Sequence, residues 1–110
     1  MTTITVYGHT DCPYSRNFKN AMTASEFFQD HQLDSGRAKT INFTYVDCKA
    51  QISDQVCPDI TSFPAFVYND TGRNKICKAG FQGDTKQHVW AAAREVANKI
   101  DSGGCNQMRY

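Results

Sequence analysis

The sequence predicts an α/β fold, a central mixed sheet of about four strands with helices on both faces. Three observations predict it. Stretches that are rich in β-branched residues or that alternate apolar with polar residues recur at 3–7, 41–46 and 74–78, and Pro64 opens a further run at 65–68. Segments with helical patterning follow the first of these and close the chain, at 14–29 and after Asp84. The order strand, helix, strand, helix, strand, strand, helix joins parallel crossovers to one terminal hairpin.

The first strand, Thr-Ile-Thr-Val-Tyr at 3–7, ends at Gly8 and leads into a loop. Pro13 fits the first turn of a helix, where its missing N–H costs nothing. Residues 14–29 contain no Gly or Pro, and Phe18, Met22 and Phe28 mark an apolar stripe. Polar residues at 30–40, with Gly36 among them, read as a loop. Ile41, Phe43 and Tyr45 then alternate with Asn42, Thr44 and Val46, the period of a strand. A short helix is expected over 49–56, ending around Pro58. Pro64 opens Ala65-Phe66-Val67-Tyr68, and Asn69-Asp70-Thr71-Gly72 has hairpin-turn composition. In the last helix Asp84 and Gln87 stand at the N-cap and N3 positions. Val89, Ala93, Val96, Ala97 and Ile100 form one face, and Gly103-Gly104 stops it.

A chain of 110 residues encloses one hydrophobic core. The expected organisation is one domain over 1–101 and a flexible tail over 102–110. A net charge of +1 with scattered Lys and Arg argues against nucleic acid as a partner. No apolar run reaches the roughly 18 residues of a membrane span, and no basic-then-apolar leader opens the sequence. The resulting expectation is a cytoplasmic monomer. Five Cys cannot all pair within one chain, so at least one thiol is free or pairs externally. No pair among these Cys and the three His has the close spacing of a structural zinc site, so no metal is expected.

Cys12 falls between the end of a strand and the start of a helix. Unpaired backbone N–H groups and the helix dipole there favour a negative sulfur, and a thiolate is the nucleophile of disulfide exchange. Asp11 opposes that effect and Arg16 supports it. A small buried apolar Cys is the alternative reading of the same residue. His9 lies close enough in sequence to tune the thiol proton, although surface solvation is its commoner fate.

The run Val6-Tyr7-Gly8-His9-Thr10-Asp11-Cys12-Pro13-Tyr14-Ser15 resembles the active-site region of glutaredoxins, whose dithiol motif is Cys-Pro-Tyr-Cys. Tyr45-Val46-Asp47-Cys48, Val56-Cys57 and Ile60-Thr61-Ser62-Phe63-Pro64-Ala65-Phe66 are more similar to thioredoxin and protein disulfide isomerase domains. Together these segments extend over most of 3–100. The resemblance implies the thioredoxin fold, a catalytic Cys12 within the motif Pro13, Tyr14 and Ser15, and a cis peptide bond before Pro64. Phe63 and Pro64 would form a groove for an extended peptide or glutathione, with Tyr14 at its lip. Gly83 and Asp84, at a helix N-terminus, partly echo the glutaredoxin glutathione-binding element. The resemblance also relates Cys48 and Cys57 to positions that hold paired or neighbouring cysteines in some disulfide isomerase domains. A structural disulfide and two free thiols are both open for them. Cys77 reads as a packed or edge thiol, and Cys105 as a mobile thiol whose functional reading is a distant resolving or intermolecular one.

Ser15 departs from the dithiol motif, because a hydroxyl cannot exchange with sulfur. The expected function is therefore a monothiol, glutathione-linked thiol-disulfide oxidoreductase. Glutathione is its co-substrate, protein thiols or mixed disulfides are its partners, and no tightly bound cofactor is expected. The chain also lacks the Lys found just upstream of the motif in many glutaredoxins. Two other readings stand beside it: an iron–sulfur carrier that holds a cluster with Cys12 and glutathione from two subunits, and a non-catalytic module that binds polypeptide beside Pro64.

Overall fold

A computed structural model describes residues 2–22, 31–32, 36, 38–50, 56–70, 72–80 and 86–108. The alternating segments become β1 (Thr2–Gly8), β4 (Ile41–Asp47), β5 (Ala65–Asp70) and β6 (Arg73–Ala79). The helices are α1 (Pro13–Met22) and α2 (Lys86–Ser102). Two-residue strands β2 (His31–Gln32) and β3 (Ala38–Lys39) pair with each other, and β7 (Asn106–Gln107) follows α2. The main sheet has the order β4-β1-β5-β6-β7. β1 and β4 run parallel, Val6 opposite Tyr45, and the remaining neighbours are antiparallel. No helix among the described residues is long and apolar enough to cross a membrane.

The two-residue period sorts side chains to opposite faces of this sheet. Ile4, Val6, Ile41, Phe43 and Phe66 point to one face, where Phe18 of α1 and Ala93, Val96 and Ala97 of α2 cover them. The Phe18 ring meets Phe66 at 4.9 Å and Phe43 at 6.3 Å, both edge-on, the arrangement aromatic rings favour. Tyr7, Ala65 and Val67 point to the other face, where Cys48, Val56, Cys57 and Ile60 pack on them.

This arrangement corrects the expectation of a thioredoxin fold with about four strands and helices on both faces. The main sheet has five strands, and both α-helices share one core on one face. Among the described residues the opposite face is covered by a 3-10 helix at Cys57–Asp59, with Pro58 inside its first turn, and by a Cys48–Cys57 disulfide. A Pro at that position suits the start of a helical turn rather than its end. Residues 51–55 of the short helix expected over 49–56 lie outside the described residues, as do 23–29 of the longer first helix.

The fifth strand comes from the segment taken as a flexible tail. Gly103, at φ +73°, ends α2: its N–H reaches Ile100 O at 3.3 Å and the Gly104 N–H reaches Lys99 O at 2.7 Å. The chain then turns back along β6, where Met108 N donates to Asn74 O at 2.8 Å. A second disulfide, Cys77–Cys105, fastens it there. Cys77 is thus neither a lone packed thiol nor an edge thiol, and Cys105 is not a mobile one. Asn106 and Gln107 are polar and exposed, so no hydrophobic period marked them as a strand.

Candidate functional site

The site is assembled where β1 hands the chain to α1. Gly8 ends β1, and a turn closes with Cys12 N–H donating to His9 O at 2.9 Å. Cys12 then acts as the cap of α1: its carbonyl accepts the helix's first bond, from Arg16 N at 3.2 Å, and Pro13 takes the first helical position. The sulfur is partly exposed and its thiol faces Phe63 O at 3.7 Å. The Phe63–Pro64 peptide is cis, in the geometry the resemblance implies, and Pro64 is completely buried. Pro64 O accepts from Gly80 N at 3.0 Å, which ties this loop to the end of β6.

Partial burial pushes the Cys12 thiol up, but four influences outweigh it. These are the Ser15 hydroxyl, the backbone N–H groups of Ser15 and Tyr14, and the Arg16 guanidinium. The net result is a thiol below its ordinary range. Ser15 itself is completely buried. Its Oγ meets no partner in full hydrogen-bond geometry among the described residues, yet stands near enough to the sulfur to favour the thiolate.

The loop bearing Cys12 is held from β4. The Thr10 hydroxyl donates to Asp47 Oδ2, and the Thr10 N–H reaches Asp47 Oδ1 at 3.2 Å. These bonds, the Thr10 hydroxyl first, hold the Asp47 carboxyl below its usual range. Lys49 lies 3.0 Å from Asp11 Oδ1 and draws that carboxyl down as well, so the anion next to Cys12 has its own cation. His9 accepts the Asp11 N–H on Nδ1 at 3.2 Å and lays its ring 5.4 Å from that of Phe63. Thr10, Asp47 and Lys49 were absent from the residues read as functional. Only the sharp end of the strand at Asp47 hinted at them.

An open groove of about 720 Å³ is lined by exposed Tyr14, by Ser62 and Phe63, by Gly80 at the end of β6, and by His88 and Glu95 of α2, and Phe63 is also the residue whose carbonyl the sulfur faces. Cys12, Tyr14 and Phe63 therefore come together, with Ser15 and Pro64 directly behind them. Gly83 and Asp84 lie outside the described residues. Cys48 and Cys57 are joined, their Cα atoms 5.5 Å apart, and Cys77 and Cys105 likewise at 4.3 Å. With one reactive thiol set aside, the parity of five cysteines allowed this second pair, but residue type alone did not locate it. In comparisons with family models, with curated proteins and with solved structures, nothing matches this chain.

Proposed function

We propose that the protein is a thiol-disulfide oxidoreductase of monothiol type, with Cys12 as nucleophile and glutathione as co-substrate. The observation that carries this reading is the state of the five cysteines. Four are spent in two disulfides, and the fifth is partly exposed at a helix N-terminus with its thiol lowered. The glutaredoxin-like run around Cys12 supports glutathione in particular.

The Cys12 thiolate attacks the glutathione sulfur of a mixed disulfide, the sulfur–sulfur bond breaks, and the substrate leaves as a thiolate that takes up a proton. A second glutathione thiolate then attacks the Cys12–glutathione disulfide, releasing oxidised glutathione and restoring the Cys12 thiolate. The protein sulfur returns to a thiol, and one added glutathione thiol per turnover ends in a disulfide with the glutathione taken from the substrate. Ser15 adds no sulfur to this cycle, so release depends on the external thiol. Tyr14 and Phe63 offer apolar walls and His88 and Glu95 polar ones along the groove. The two disulfides favour an oxidising compartment over the cytoplasm expected from the sequence.

Turnover of a glutathionylated peptide by wild type and by two variants tests the reading. Cys12→Ser removes all activity, whereas Ser15→Cys adds release without glutathione, because the new thiol sits one turn from Cys12 at high effective concentration. Activity that survives in Cys12→Ser overturns the proposal.

A further inference from the structure

A buried hydroxyl without a partner calls for an acceptor, since burial removes the water that would otherwise satisfy it. Ser15 Oγ is such a group, completely buried in the first turn of α1. Two groups stand near it without a hydrogen bond to it: the Cys12 sulfur, one turn earlier in the chain, and the Tyr45 hydroxyl. Tyr45 reaches this place from β4, across β1. Its hydroxyl lies where a Cβ on Gly8 would otherwise be, and its ring carbon Cζ is 2.6 Å from that same position, so only glycine leaves the path open. Lys19 stands over the ring with Nζ 5.3 Å from its centroid, holding it from the helix side.

We propose that Tyr45 is a positioning residue for the Cys12 thiolate: when Cys12 ionises, the Tyr45 hydroxyl turns to donate to Ser15 Oγ and the Ser15 proton turns toward the sulfur. In the thiol form this donor is left unsatisfied, and ionisation supplies the missing acceptor. Tyr45 is suited to the task. Burial, then the charges of Asp47 and Cys12, push its phenol up and outweigh the lowering by Ser15, so it remains a donor while the thiol titrates. The other charges around the sulfur are accounted for. Arg16 favours the thiolate directly, Asp11 is paired with Lys49, and Asp47 is bonded to Thr10. His9 rests on the Asp11 N–H.

The inference rests on the proposed function for the thiolate's use, but its test reads ionisation alone. Iodoacetamide alkylation of Cys12 is followed against pH in wild type, Tyr45→Phe, Ser15→Ala and the double variant. Phe keeps the ring beneath Lys19 and removes only the hydroxyl. Tyr45→Phe moves the midpoint up by about 0.5 pH unit, roughly a threefold loss of thiolate at neutral pH. Ser15→Ala moves it at least as far, and the double variant coincides with Ser15→Ala because Tyr45 acts through Ser15. An unchanged or lowered midpoint in Tyr45→Phe, or additive shifts in the double variant, overturns the proposal. A second measurement needs no change at Tyr45: in wild type the Tyr45 ¹³Cζ resonance steps at the Cys12 midpoint, and Cys12→Ser removes the step. A resonance blind to Cys12 also overturns it. A protein that shows these shifts yet forms no glutathione adduct keeps this inference and loses the proposed reaction.

Discussion

Gly8 and Tyr45 show how one missing Cβ shapes the chemistry of a residue four positions away. A side chain at Gly8 would collide with the Tyr45 hydroxyl, the group placed behind Ser15. Gly8→Ala therefore displaces Tyr45, costs about 1–3 kcal/mol of stability by overpacking, and raises the Cys12 midpoint as Tyr45→Phe does. Urea denaturation and alkylation against pH check the two effects separately. The sign of the linkage follows from the lowered thiol. Its contribution to stability is fully present above the unfolded thiol range, about 8.5, and is lost as pH falls through the folded value. Cys12 was legible as the candidate site because residue type, Pro13 and a strand-to-helix junction coincide there. Tyr45 was not, because its alternation with Thr44 and Val46 is fully explained by the strand alone.

At the scale of elements, Phe18 is the large buried apolar side chain among the described ones of α1. Phe18 is completely buried between Phe43 and Phe66 and supplies the helix's ring contacts with the sheet. Phe18→Ala costs about 3–5 kcal/mol in urea denaturation, and a loss under 1 kcal/mol would contradict this packing. β1, β4 and β6 were legible from period and β-branching, β5 from Pro64 before it and the turn residues Asn69 to Gly72 after it, and α2 from the stripe through Ala93, Val96 and Ala97. What period could not reveal was the number of layers. The face formed by Tyr7, Ala65 and Val67 is covered, among the described residues, by Cys48, Val56 and Ile60 and by the 3-10 turn at Cys57-Pro58-Asp59. β7 was equally hidden, since a two-residue polar strand carries no pattern and is held by Cys105 rather than by burial of its own side chains.

The molecule as a whole is closed by its disulfides at two places with unequal reach. Cys48–Cys57 spans 9 residues of sequence and Cys77–Cys105 spans 28. In the chain-entropy account the longer loop restrains the unfolded state more, by about 3.5 against about 2.5 kcal/mol. Replacing Cys77 and Cys105 by Ser together is thus expected to lower the thermal midpoint further than replacing Cys48 and Cys57, and the reverse ranking in calorimetry would contradict it. Both double variants retain Cys12, so both should still react at that sulfur. The central claim, a lone reactive thiol that exchanges with glutathione, is tested most directly by the intact mass of wild-type protein after exposure to oxidised glutathione. The account predicts one glutathione per chain, mapped by peptide digestion to Cys12 and released when reduced glutathione is added. A chain that gains no glutathione at Cys12, or sheds it without added thiol, would contradict the account.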